Sequence, residues 1–275
     1  MRMTAAIIAI LIASSGAAHA AHAAAPRPAL SLTRLDCGSA TIADFDAFFS
    51  DTHELPVGPR KITDSCYVIR HGDQTLLWDT GFAAAIKGKP MDMGGLVATL
   101  RVTIPEQLAK IGLKPSDINI VGISHRHGDH TGQAADFPGA KLLIGKGDFE
   151  QSKGDKDPFG PWRGEKANVQ LEHGGDVDVF GDGSVIALNM PGHTTDHMAL
   201  LVKLASGNVL LTGDLYHSTL ARARRQVPGF NMSRAETLAS IDRFEAMART
   251  YHAKVIIQHE PADIAKLPAF PAAAR

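Results

Sequence analysis

Cysteine is almost missing from this chain, with two residues, Cys37 and Cys66, in 275. Closed structural metal sites are usually rich in cysteine thiolates, so a site of that kind is disfavoured. Charge of either sign is not in excess, because 28 Lys and Arg meet 29 Asp and Glu for a net charge of −1. Electrostatic binding to nucleic acid or to an anionic membrane surface needs a clustered basic excess, so neither partner is expected and a small-molecule substrate is. Long hydrophobic runs are missing too. The apolar run Ala5 to Ala13 is too short to cross about 30 Å of hydrocarbon. Beyond the first 28 residues there is no internal repeat, heptad pattern or long low-complexity tract. What remains, about 250 residues, is enough for one large domain with a well-buried core.

The start of the chain has the layout of a secretory signal peptide over residues 1–20: Arg2, then the apolar run, then Ala18-His19-Ala20 as a small-residue cleavage site. Residues 21–30 are rich in alanine and proline and read as a disordered leader, with residues 31–275 as the folded domain. This layout places the mature protein in the periplasm or secreted. His19 and His22 are then incidental.

The densest chemistry lies in Ser124 to Gly132, which reads Ser-His-Arg-His-Gly-Asp-His-Thr-Gly. Its approach, Ile118 to Ile123, is β-branched and apolar and predicts a buried strand that delivers the cluster on a strand-to-helix loop. On extended backbone His125 and His127 point the same way, while Arg126 faces elsewhere. Gly128 permits a sharp turn, after which Asp129 and His130 face a second point close to the first. The spacing suits two metals better than one, and it differs from the helical zinc motif with histidines at i and i+4.

At this point the sequence resembles the metallo-β-lactamase-fold hydrolases, whose signature is His-x-His-x-Asp-His followed by His, Asp and His much later. The three later residues are His193 in Pro-Gly-His-Thr, Asp214 in Thr-Gly-Asp-Leu and His259 in Ile-Gln-His-Glu. The resemblance runs from about Leu35 to Pro271. It implies an α+β fold, the αββα sandwich of two sheets flanked by helices, and a metal set of His125, His127 and His193 for one ion, Asp129, His130 and His259 for the other, and Asp214 bridging both. Nitrogen and oxygen ligands without thiolate suit two divalent ions, with zinc expected and iron, manganese or cobalt as alternatives. A water activated between two such ions is a hydrolytic nucleophile. His197 would reach the metals if the loop after His193 were helical, but family sequences often carry a histidine there that is not a ligand, so His193 alone is assigned.

The tail from His259 to Pro271 is similar to exported N-acyl-homoserine lactonases, which makes lactone opening, and with it quorum quenching, the first expectation. In that reading Asp129 passes a proton to the leaving alkoxide, and Tyr216, just after Asp214, polarises the carbonyl. The family's tyrosine stands three residues after the aspartate, whereas Tyr216 stands two after, so a rim aromatic is its alternative and His217 its competitor. Organophosphate or other ester hydrolysis is the second expectation. β-Lactamases lack the bridging aspartate, and glyoxalase-like thioesterases usually add a helical domain where 16 residues follow His259. A metal-binding protein without activity is the last alternative.

Around the motifs, Cys66 to Arg70 and Gln74 to Trp78 predict a hairpin across His71-Gly72-Asp73. By the resemblance Asp79, in Asp-Thr-Gly, lies behind the metal loop. Cys37 and Cys66 fall in neighbouring early strands, as a disulfide or as two buried thiols. Residues 83–103 read as an irregular lid or substrate wall containing Met91 and Met93. A helix is expected over Pro105 to Ile111, a strand over Val185 to Leu188, a hairpin from Met198 to Thr212, a long helix over Ser233 to Arg249, and a strand over Val255 to Ile257 that delivers His259.

The signal segment carries a direct test. The protein purified from its native host should begin near Ala21, and intact-mass measurement that finds Met1 in place would exclude export by this route.

Overall fold

Alternating side chains decide the layers. The computed structural model describes residues 28–154 and 156–275, so residues 1–20 and most of the leader lie outside the described residues. In β1 (Leu30–Ile42), β2 (Arg60–His71) and β3 (Gln74–Trp78), neighbouring residues point to opposite faces: Leu32, Tyr67, Ile69, Leu76 and Trp78 enter one core, and Leu35, Cys66, Val68 and Leu77 enter another. β1 and β2 pair antiparallel, and β2 and β3 form the expected hairpin with His71 opposite Gln74.

The remaining strands of the first sheet are β4 (Met91–Asp92), β5 (Leu96–Thr99), β6 (Ile120–Gly122), β7 (Lys141–Gly145) and β8 (Val169–Glu172), in the order β4-β5-β1-β2-β3-β6-β7-β8. The second sheet contains β9 (Val177–Asp178), β10 (Val185–Asn189), β11 (Met198–Leu204), β12 (Gly207–Leu211) and β13 (Lys254–Ile256), in the order β13-β12-β11-β10-β9. Between the sheets, Leu32, Tyr67 and Trp78 meet Met198, Leu200, Val202 and Leu211.

Helices cover both outer faces. α1 (Phe45–Phe49) follows β1, and α2 (Ile104–Lys110) lays Ile104 and Leu108 on the first sheet beside Phe137, Phe149 and Trp162. α3 (Gly128–Thr131) and α4 (Lys146–Gln151) are single turns after β6 and β7, and α5 (Thr219–Arg224) precedes α6 (Arg234–Thr250). α6 packs Ile241, Phe244 and Ala248 on the second sheet, and its start is set by Ser233, whose hydroxyl accepts from the Glu236 amide. α2 begins with a capping box between Thr103 and Glu106. The result is the αββα sandwich. Each large side chain buried in these layers is worth about 1.5 to 3 kcal/mol, whereas an exposed pair such as Arg225–Asp242 is screened by water and adds little. Burial therefore sets the fold.

Two details concern the early strands. Residues 83–103 are not one element, as expected, but β5 pairs with β1 and carries the β4–β5 hairpin to the sheet edge. Cys37 and Cys66 are joined by a disulfide, with α-carbons 5.8 Å apart, at the bulge between Asp36 and Gly38 where Cys37 falls outside the β1–β2 ladder. A Cβ on Gly81 would lie 2.5 Å from the Cys37 Cβ, so glycine is required for the turn after β3 to pack there.

The disulfide spans 29 residues, and closing a loop of that size in the unfolded chain accounts for about 3 to 4 kcal/mol. The double variant Cys37→Ala/Cys66→Ala should lose roughly that much stability in urea unfolding. An unchanged midpoint would show that the bridge does not restrain the unfolded chain.

Candidate metal centre

β6 is only three residues long, and a loop over residues 123–127 carries His125 and then His127, extended at the cap of α3, while Asp129 and His130 lie on the first helical turn. The turn after β3 supports this loop. Asp79 sits at φ 58, an unfavourable region for a side chain other than glycine, and is held there by its contacts. One of its carboxylate oxygens accepts from the Ser124 amide at 2.7 Å, and the other accepts from the Ser124 hydroxyl at 2.9 Å and from His130 Nδ1 at 3.0 Å. A Cβ on Gly132 would come within 2.2 Å of the Ala83 nitrogen, which explains the glycine that closes the motif.

The second sheet supplies the other ligands. His193 follows β10, Asp214 follows β12 and His259 follows β13. The side chains of all seven expected ligands converge at this end of the two sheets. His125 Nε2, His127 Nδ1 and His193 Nε2 form one group, with His127 Nδ1 3.0 and 3.1 Å from the other two. His130 Nε2 and His259 Nε2 form another with Asp129, at 4.0 and 3.8 Å from its two oxygens. Asp214 lies between the groups. Its Oδ2 is 3.6 Å from His125 Nε2 and 3.4 Å from His193 Nε2, and its Oδ1 is 3.1 Å from His130 Nε2 and 2.9 Å from His259 Nε2.

The donor set fits two cations. His130 donates from Nδ1 to Asp79, His193 from Nδ1 to Asn231 Oδ1 at 2.8 Å and His259 from Nδ1 to the Thr63 carbonyl at 2.7 Å, so each ring is oriented with its Nε2 turned inward, where a bound cation would displace any proton it carries. Burial above all keeps His125 and His193 well below the ordinary histidine range, so these rings are neutral and their lone pairs face one another. Burial would also lower His130, but Asp214 and Asp79 outweigh it and hold it well above that range. His130 Nε2 and Asp214 Oδ1 are close without hydrogen-bond alignment, which leaves both buried atoms unpartnered. A divalent ion in each group would satisfy every one of these atoms.

His197 is not in the set. Its Nδ1 donates to the Met190 carbonyl at 3.0 Å and its Nε2 accepts from the Asp214 amide at 3.0 Å, so both nitrogens are in use and the ring positions the aspartate. Burial chiefly pushes its pKa down to about 4, in keeping with a neutral ring. Tyr216 requires a correction. Its ring packs on Phe244 behind the second sheet and its hydroxyl donates to Glu245 at 2.9 Å, away from the ligands. A short 3-10 turn over Gly213–Leu215, followed by an extended Tyr216, turns Tyr216 inward and His217 toward the site. His217 Nε2 lies 3.2 Å from Asp214 Oδ2, and its ring stacks on Phe49 at 4.2 Å.

A cavity of about 280 Å³ opens over the centre. Asp129, Asp214, His127, His217 and His259 form its floor, and Phe48, Phe49, Ile62, Met93, Leu96 and Phe230 its walls. Met93 reaches this wall, whereas Met91 does not line it. Met93 and Leu96 come from the segment 83–103 expected as a substrate wall, whereas Phe48, Phe49, Ile62 and Phe230, and the outer partners Thr63 and Asn231, carry no local motif and were not found from the sequence. Ser124 and His217 adjoin the motif residues, and that adjacency was the available signal.

Residues 63–259 match the profile of the metallo-beta-lactamase superfamily. The chain belongs to that superfamily. The N-acyl homoserine lactonase AttM of Azorhizobium caulinodans is 30% identical over 169 residues, 56% of this chain and 63% of that protein. AttM of Rhizobium johnstonii is 27% identical over 217 residues, 71% of this chain and 81% of that protein. The chain thus spans somewhat under two thirds of the first of these relatives. The structure of a B. thuringiensis AiiA mutant with N-decanoyl-L-homoserine bound at its active site aligns with a TM-score of 0.75 at 20% identity over 88% of this chain and 98% of that one. AidC, a dizinc quorum-quenching lactonase, aligns with a TM-score of 0.64 at 17% identity over 90% of each chain. These likenesses show the shared fold.

The bridging position of Asp214 is testable. Asp214→Asn puts a neutral amide between two cations, so purified protein should hold at most one ion in place of two and lose most hydrolysis. Two retained ions with activity preserved, by metal analysis beside the assay, would show that Asp214 is not the bridge.

Proposed function

We propose that this chain is a dinuclear metal-dependent hydrolase that opens lactone rings, with N-acyl-homoserine lactones as the substrate class, zinc as the metal and a working place outside the cytoplasm. The observation that carries the reading is Asp214, with one oxygen toward each of two ligand groups on the floor of an apolar, aromatic cavity. A polar floor under an apolar wall suits a small carbonyl head group joined to a hydrocarbon tail. The lactonase names of the AttM relatives support the same class. Nitrogen and oxygen donors without thiolate support zinc, the metal named for AidC. The Cys37–Cys66 disulfide supports an oxidising compartment.

Two divalent ions held here would supply a nucleophile from water near neutral pH and electrophilic assistance to a carbonyl. The chain's own residues do the rest. The apolar walls hold the tail and exclude water from the floor. Asp129 is partly exposed to the cavity, which supports a role in taking the proton released by the attacking water and passing it to the alkoxide oxygen as the ring opens. His217, rather than Tyr216, stands where a donor meets negative charge developing on the carbonyl oxygen.

A panel of acyl-homoserine lactones, a thioester, a β-lactam and a phosphotriester, run beside metal analysis, tests the class. Turnover should be highest on the lactones, and a phosphotriester turned over faster would move the assignment to organophosphate hydrolysis, for which the same aromatic walls would serve.

The two neighbouring residues separate the roles. His217→Ala should lower lactone turnover roughly tenfold to a hundredfold, or about 1.4 to 2.8 kcal/mol. Tyr216→Phe should leave turnover nearly unchanged and remove about 0.5 to 1.5 kcal/mol of stability with its hydrogen bond to Glu245. Loss of turnover in Tyr216→Phe with His217→Ala active would reverse the assignment.

A further inference from the structure

Beneath the first imidazole group lies a buried acid that the proposed chemistry does not use. Asp148 is the third residue of α4 and is fully buried. The turn that carries it is pressed against the loop after β10: the Gly147 amide donates to Asp196 Oδ2 at 2.6 Å, and a Cβ on Gly145 would lie 2.4 Å from the Asp196 Cβ. Asp148 Oδ2 accepts from the Thr194 hydroxyl at 2.7 Å, and its Oδ1 faces Arg126 Nε at 3.9 Å, with neither of those last two atoms holding another hydrogen-bond partner. Thr194 follows His193, and Arg126 stands between His125 and His127. Burial pushes the Asp148 carboxyl up to about 7, against the opposing pull of Thr194 and Arg126. A carboxylate buried with so few partners is costly to the fold, and such groups persist where they fix a geometry.

We propose that Asp148 is a positioning residue for the first ligand group, tying the His125–His127 loop through Arg126 to the His193 loop through Thr194 and so setting that group's affinity for its ion. The proposal rests on the two-ion reading above. The second group is held by other partners, Asp79 for His130 and Thr63 for His259, and has no contact with Asp148. The effect of Asp148 is therefore selective, which distinguishes positioning from general support of the core.

The test is titration of metal-free, full-length protein with Co²⁺ at pH 8, followed by visible absorption and by competition with a chelator. Wild type should bind two ions in resolvable steps. Asp148→Asn keeps an acceptor for Thr194 but loses the charge facing Arg126, and it should weaken one ion about tenfold to a hundredfold while changing the other by less than about threefold. Arg126→Ala and Thr194→Val should each weaken the same ion, and their effects should vanish when added to Asp148→Ala. If Asp148→Ala folds poorly, those two variants and Asp148→Asn carry the test alone. Equal weakening of both ions, or of neither, in folded variants overturns the proposal. A wild type that binds no Co²⁺ would instead overturn the two-ion reading itself.

Discussion

Asp214 places one carboxylate between two sets of inward-facing imidazoles, and this contact joins the halves of the molecule. His125, His127, Asp129 and His130 come from the first sheet, and His193, Asp214 and His259 from the second. Neither sheet holds a complete set. The neutral rings that face His127 would repel through their lone pairs, and the aspartate would be a costly buried charge, unless cations lie among them. Metal affinity and correct packing of the sheets are therefore linked: whatever aligns the sheets assembles the donors, and ions held there favour the aligned state.

Placing these donors within a few ångströms of one another falls to residues that touch no substrate. Asp79 holds the first loop from below at a strained backbone angle, His197 fixes the Asp214 amide, and Asn231 and Thr63 orient His193 and His259. Each makes one to three hydrogen bonds worth about 1 kcal/mol apiece, more where a charge takes part. The layers of Leu, Val, Phe and Trp contribute far more to stability but would tolerate small shifts. Burial thus makes the sandwich, and the polar bonds determine where its ligands stand. The cavity walls follow the same division, since Phe48, Phe49 and Phe230 come from a helix and a distant loop that only the packing brings together.

Much of this was legible in the chain. Strand alternation, the hairpin across His71-Gly72-Asp73 and the long helix from Ser233 to Arg249 are local signals, and the structure has the elements they predict within a residue or two, although β1 and β2 run longer than their apolar stretches suggest. Four candidate ligands, His125, His127, Asp129 and His130, were legible because a metal site needs particular atoms and histidine and aspartate in that dense pattern have few other uses, and the resemblance to the family signature added His193, Asp214 and His259. Tyr216 was misread for an equally physical reason: a two-residue offset after Asp214 decides whether a side chain faces the site or the core, and sequence spacing does not show where the backbone turns.

The sequence by itself determined the layered fold class and the identity of the donor atoms, because periodicity and ligand chemistry are properties of single residues and near neighbours. Only the tertiary structure decided that Cys37 meets Cys66, that His217 and not Tyr216 faces the cavity, that His197 has both nitrogens in use, and that Asp148 lies beneath two ligand loops. These facts depend on distances between residues far apart in the chain, and such distances are fixed by how the two sheets and their covering helices pack.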